Sequence, residues 1–154
     1  MTENERVRWA ERLHTIRYSG RQELSARFFD MIEAAKGGGL AEARILMSTI
    51  TNQPEDAGQG EAVISILCAY PVDVRVKAII EEIPRLERDG QQEWSNSLIE
   101  DLARDCGDRL IHAANETSSQ TRATLRAVLE RVSAGARRRR AKDMALPVIK
   151  VLCE

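Results

Sequence analysis

The 154-residue chain predicts an all-α fold, and three observations carry that reading. Apolar residues recur at spacings of three and four along most of its length, which gathers them on one side of a helix rather than one side of a strand. The 43% hydrophobic share comes from Ala, Leu, Ile and Val, with aromatics only 4%. Strand-favouring runs are scarce, and the β-branched cluster Val72 to Val76 falls inside helical spacing. Finally, the breaks between periodic segments are short and marked by glycine or proline, so successive helices are expected to be antiparallel neighbours. The length fits one domain over 1–154.

The first helix is expected over Glu5 to Tyr18, where Trp9, Leu13 and Ile16 share a face and Ser19-Gly20 supplies a stop. Leu24, Phe28, Met31 and Ala35 continue the rhythm until Gly37-Gly38-Gly39. Three consecutive glycines invite comparison with a phosphate cradle, but no strand precedes them and no G-K-[ST] follows, so they read as a helix break. Leu40 to about Thr51 forms a third helix with Leu40, Ala43, Leu46 or Met47, and Ile50 on one side. After the loop Asn52 to Gln59, the helix Glu61 to Tyr70 is apolar around most of its circumference, which predicts burial from several sides.

Pro71 ends that helix and suits the entry to the next, since a first turn leaves its missing donor unpaired anyway. Val72, Val76, Ile79, Ile83 and Leu86 then form an inner stripe, and Lys77, Glu81, Arg85 and Asp89 alternate in charge on the outer side. Pro84 removes one backbone donor and crowds the carbonyl of Ile80, which predicts a kink or an end near Ile83. Asp89-Gly90 closes this unit. From Gln91 to Cys106 the inward face is Trp94, Leu98, Ile99, Leu102 and Cys106, with Gly107 as the expected C-cap. A short helix, Arg109 to Ala114, and the loop Asn115 to Ser118 follow. Ser119 is the expected cap of a helix carrying Leu125, Val128, Leu129 and Val132 and ending at Gly135. A last helix is expected over Ala136 to Leu152, bent at Pro147, with Met144, Val148, Ile149 and Leu152 turned to a core. Successive pairs occupy roughly 35 to 45 residues, the scale of HEAT-like α-hairpins, so about eight helices stack in that manner or form an irregular bundle.

Function is less legible. The charged start MTENERVRWAERL and the lack of any long apolar window predict no secretory signal and no membrane span, and hence a cytoplasmic protein. Cys68, Cys106 and Cys153 are widely and irregularly spaced, which predicts buried free thiols rather than a disulfide framework or zinc site. His14 and His112 have no histidine or cysteine at i+3 or i+4, and no serine stands in a G-x-S-x-G context. Asp101 and Asp105 share a helix face, a spacing that solvated helices produce far more often than paired catalytic acids. No cofactor, metal or catalytic residue is expected, and the chain reads as a binding protein rather than an enzyme.

Charge is the remaining signal. The net charge is −1, but Glu81 to Asp108 holds nine acids against three arginines, and Arg109 to Glu154 holds ten bases against four acids. The basic run Arg137, Arg138, Arg139, Arg140 and Lys142 is a candidate contact for nucleic acid, because clustered guanidinium groups displace counterions from phosphates. It lacks interleaved aromatics and sits in a chain that is not basic overall, so a solvated helix side is the favoured reading. The acids form a candidate negative surface that would steer and hold a basic protein. Glu81, Glu82, Glu87, Asp89, Glu93 and Asp101 are the candidate contact residues.

The apolar helix AVISILCAY, the helix VRVKAIIEEIPRL with Ile80-Glu81-Glu82, and the Trp94-led WSNSLIEDLA together resemble all-α immunity proteins of bacterial polymorphic-toxin and contact-dependent inhibition systems. The resemblance covers about 50 residues as a pattern of helices with a few fixed polar and aromatic points. Two places depart from it, Cys68-Ala69-Tyr70-Pro71 where a histidine is expected and Asp105-Cys106-Gly107 where an asparagine-ended motif is expected. The resemblance implies a small cytoplasmic protein that binds the C-terminal domain of a cognate toxin and occludes its active site. A basic nuclease is one toxin class that suits the acids.

Overall fold

The computed structural model describes residues 1–17, 25–51, 58–135 and 148–150. Among these there is no strand, and seven helices hold most of them: α1 (Glu3–Arg17), α2 (Ser25–Glu33), α3 (Leu40–Ser48), α4 (Gln59–Leu67), α5 (Val72–Arg88), α6 (Gln92–Asn115) and α7 (Ser119–Gly135). Residues 148–150 are also helical. The all-α class predicted from periodicity is the class observed. The chain divides into two compact units, Met1–Arg75 and Val76–Glu154.

In the first unit α1 packs on α2, and α2 and α3 both pack on α4. Leu13, Phe28, Ile32, Leu46, Met47, Ile50 and Leu67 are fully buried there. The face of α2 differs from the expected one, because Ile32 lies in the core while Met31 is half-buried. Met31 and Ile32 stand three and four residues beyond Phe28, and either satisfies helical spacing. The chain of α4 is not enclosed all round. Val63, Ile66, Leu67 and Tyr70 are buried, whereas Ile64 is only partly covered and Cys68 is exposed. Cys68 therefore corrects the expectation of buried thiols; Cys106 is half-buried, and Cys153 lies outside the described residues.

The triple glycine is a helix break, as its setting predicts. Gly37 has φ +71°, a left-handed conformation suited to glycine. Gly38 is needed for close approach: a Cβ there would stand 3.1 Å from the Ala35 carbonyl oxygen, from Glu42 Cβ and from the Tyr70 hydroxyl. That hydroxyl donates to the Ala35 carbonyl, and burial, aided by the Glu42 charge, pushes the phenol up to about 12. Glu42 itself is 6% exposed. It accepts from Arg6 Nε at 2.9 Å and from the Gly39 amide at 3.0 Å, satisfying an orphan donor at the start of α3. Burial pushes its carboxyl up, but these donors outweigh burial and leave it below the ordinary value. Arg17, 5% exposed, donates to the Thr49 carbonyl at 3.0 Å and to Gln59 Oε1 at 2.9 Å, with its guanidinium 5.7 Å from the centre of the Phe28 ring. It ties the end of α1 to the end of α3 and the start of α4.

The second unit is built on α5 and on the packed pair α6 and α7. Val76, Ala78, Ile79, Ile80, Ile83 and Leu86 of α5 are buried. Pro84 does not end this helix, which runs through it to Arg88. The lost backbone bond is offset by Ile83 and Leu86, fully buried on either side of the proline, since packing of an apolar face outweighs local propensity. The expected Asp89-Gly90 stop is a Schellman motif: Gly90 has φ +74°, its amide donates to the Glu87 carbonyl at 3.2 Å, and the Gln91 amide donates to the Leu86 carbonyl at 2.7 Å.

The two helices expected over 91–114 are both present and meet end to end within α6, beside the expected break at Gly107. The break between them survives as a kink at Cys106, whose φ −141° and ψ 32° are not helical. Ser95, Leu98, Ile99, Leu102, Ala103, Leu110 and Ala114 are buried along α6, while Trp94 is half-buried. The cap of α7 is Ser118 rather than Ser119, its Oγ accepting from the Thr121 amide at 3.1 Å. Leu125, Val128, Leu129 and Val132 fill the inner face of α7, and Val148 is buried too. The remainder of the expected last helix, with Met144, Pro147 and Leu152, lies outside the described residues, as do Ser19-Gly20, Leu24 and most of the loop after Thr51.

Candidate partner-binding surface

All six candidate acids belong to the second unit, on α5, on α6 or in the turn between them, and the structure gives them different work. Glu87 lies inward, its side chain 18% exposed. Arg131 of α7 grips it with two bonds, Nη2 to Oε1 at 2.6 Å and Nη1 to Oε2 at 3.0 Å, and the Ser95 hydroxyl donates to the same carboxylate. Arg131 Nε donates to Asn96 Oδ1 at 2.8 Å. Burial pushes the Glu87 carboxyl up, but Arg131 and Ser95 more than cancel that and hold it below its ordinary value. One residue of α7 thereby joins the end of α5 to the start of α6.

Glu82 and Asp89 flank Arg85, which donates to Glu82 Oε2 at 2.6 Å and to Asp89 Oδ2 at 3.3 Å. Arg88 also approaches Asp89, at 3.4 Å. Glu81 is half-buried. On α6, Arg104 bonds Asp101 at 2.6 Å and meets Asp105 through both Nε, at 2.9 Å, and Nη2, at 3.2 Å. These are local pairs one helical turn apart or closer; they hold Asp101 and Asp105 on an exposed face, whereas the Glu82 side chain is as little exposed as that of Glu87.

Glu93 is different. It is exposed, and among the described residues it makes no ion pair or side-chain hydrogen bond. Glu100 and Asp108 share that condition. Glu93 and Glu100 stand seven residues apart, about two turns, so they share one side of α6. Ser97, Asp101, Arg104 and Asp105 are exposed along the same helix. Glu100 and Asp108 are absent from the six sequence candidates. The sevenfold spacing of Glu93 and Glu100 is the signal for that pair, while Asp108 stands eight residues beyond Glu100 and past the kink at Cys106.

His14 Nε2 lies 3.0 Å from Ser48 Oγ, but that hydroxyl donates to the Ile45 carbonyl at 2.7 Å and so is committed to its own helix. His112 is exposed and 3.4 Å from Glu116. Among the described residues no group of three or more histidines, cysteines and acids is placed to hold a metal ion, and no helix is long and apolar enough to cross a membrane. The basic candidates Arg137, Arg138, Arg139, Arg140 and Lys142 lie outside the described residues. No protein-family model, curated protein or solved structure matches the chain.

Proposed function

We propose that the chain is a non-catalytic immunity-type protein that binds the C-terminal domain of a cognate toxin and neutralises it by covering its active site or substrate groove with the exposed acidic side of α6. The observation that supports this most is the exposed, unpaired state of Glu93 and Glu100 on one side of a helix held by a buried core, with Asp108 exposed and unpaired beyond the kink. Unpaired carboxylates cost a partner no rearrangement, and clustered negative charge raises the encounter rate with a basic protein and rejects acidic ones. Asp101 and Asp105 add exposed carboxylates to the same helix, and Glu81, Glu82 and Asp89 on α5 and in the turn after it carry charges that are already partly satisfied. Glu87 belongs to the scaffold. A nuclease suits the surface as a partner, because it must itself attract phosphate.

The test is to look for a large toxin gene directly upstream and to co-express the chain with the C-terminal domain it encodes; absence of such a gene would count against the reading. The wild-type chain is expected to restore growth and co-purify with that domain. The triple reversal E93K/E100K/D108K is expected to weaken binding at least about tenfold and to flatten its salt dependence, with unchanged helical circular dichroism. Equal affinity and equal salt dependence for the reversed protein would remove this face from the proposal, and failure of the wild type to rescue or co-purify would remove the immunity reading itself.

A further inference from the structure

The first unit carries a groove of about 390 Å³ between α1 and α2, lined by Glu5, Arg8, Trp9 and Arg12 on one side and by Asp30, Met31 and Ala34 on the other. Its floor is apolar. Trp9 and Met31 are both half-buried, and the indole Nε1 donates to the Met31 carbonyl at 3.2 Å. That bond satisfies the polar end of Trp9, so what the ring can offer a ligand is apolar surface.

The charged rim is unevenly committed. Glu5 is engaged by Thr2, through its amide at 2.7 Å and its hydroxyl at 2.9 Å. Arg6, on the same helix, is tied to Glu3 and Glu42. Arg8 and Arg12 are exposed, and among the described residues neither has an ion pair or side-chain hydrogen bond; the Asp30 carboxylate is equally unengaged. The groove therefore offers two guanidinium groups one helical turn apart along the α1 wall, a single carboxylate on the α2 wall, and an apolar strip between.

We propose that this groove docks an amphipathic helix of a partner protein, with its apolar stripe on Trp9, Met31 and Ala34, two carboxylates one turn apart against Arg8 and Arg12, and a basic residue against Asp30. The occupant follows from the charge pattern. Carboxylates at i and i+4 of a helix match the spacing of arginines at i and i+4, and guanidinium–carboxylate pairs are among the strongest charge-assisted contacts. An apolar strip flanked by charges is the surface that helix-in-groove recognition uses. A uniformly anionic chain such as a nucleic acid would meet Asp30 and Glu5 inside the same groove, and a basic segment would meet both arginines. This inference is independent of the acidic side of α6.

The chain has two tryptophans, so Trp94→Phe leaves Trp9 as the sole indole reporter. The probe is a synthetic helix of about 18 residues, long enough to hold helical structure, with a leucine stripe, a Glu pair at i,i+4 on one edge and a lysine on the other. Saturable change of Trp9 fluorescence is expected. R8E/R12E should weaken binding at least tenfold, and the peptide with its Glu pair changed to Lys should recover binding to R8E/R12E while losing it to the parent. Circular dichroism checks each fold, and R8Q/R12Q replaces the reversal if that variant is unfolded. Any of three results would overturn the proposal: no saturation below millimolar peptide, equal affinity after both arginines are changed, or tighter Arg8- and Arg12-dependent binding of a single-stranded oligonucleotide than of the peptide.

Discussion

Arg131 and Glu87 show most directly how one side chain sets the geometry of several helices. Arg131→Met removes the two bonds to Glu87 and the one to Asn96 and leaves a mostly buried carboxylate short of donors. A loss of about 2 kcal/mol, read from the urea midpoint, is expected for such a deletion. Because Glu87 is held below its ordinary value of 4.5 in the folded state, its contribution is complete above that value and is lost as pH falls through the lower folded value. Glu87→Gln should therefore flatten the decline of stability below about pH 4.5, measured by urea titration at a series of pH values. Neither this pair nor Arg6 with Glu42 is visible in the sequence. The partners stand 44 and 36 residues apart, and helical periodicity reports only on neighbours within a few turns.

At the scale of the element, two glycines with opposite settings give opposite expectations. Gly38→Ala would force its Cβ against backbone and side-chain atoms of three residues, and a destabilisation of about 1–3 kcal/mol is expected. Gly107 follows the kink at Cys106, has no positive φ and has open space where a Cβ would stand, so Gly107→Ala is expected to be neutral to stabilising, by at most about 1 kcal/mol. Thermal unfolding of the two variants beside the parent decides both, and a stabilised Gly38→Ala would contradict the close packing at the break. Element existence was readable because the apolar stripes of α1, α5 and α7 repeat cleanly. What was misplaced differs by one residue, as with Ile32 for Met31, or depends on what stops a helix. Pro84 looks like an end, yet Ile83 and Leu86, buried on either side of it, keep the helix going, whereas the break read at Gly107 is present as the kink at Cys106.

For the whole molecule, a net charge of −1 conceals a strongly divided chain. The acidic region is plain in the sequence, but scaffold acids cannot be told there from exposed ones, since that distinction depends on which arginines fold against them. Glu87 and Glu93 look equivalent in the chain; one is gripped by Arg131 and the other is exposed and unpaired. The charge asymmetry also bears on association. If the acidic side of α6 receives a basic partner, its association rate should fall steeply between low and physiological ionic strength while the dissociation rate changes little, a pattern that stopped-flow mixing distinguishes.

Arg104, held by Asp101 and Asp105, gives the acidic side of α6 a resident competitor. Any arginine or lysine arriving from outside must dislodge it or settle for the carboxylates it leaves uncovered. Arg104→Ala would vacate that position and make the helix more negative by one charge, so a basic partner should bind the variant about fivefold or more tightly at low salt, as titration calorimetry would register. If the acidic side of α6 does receive a basic partner, the native arginine would act as a governor on affinity, excluding weakly basic bystanders while a strongly basic ligand could still displace it.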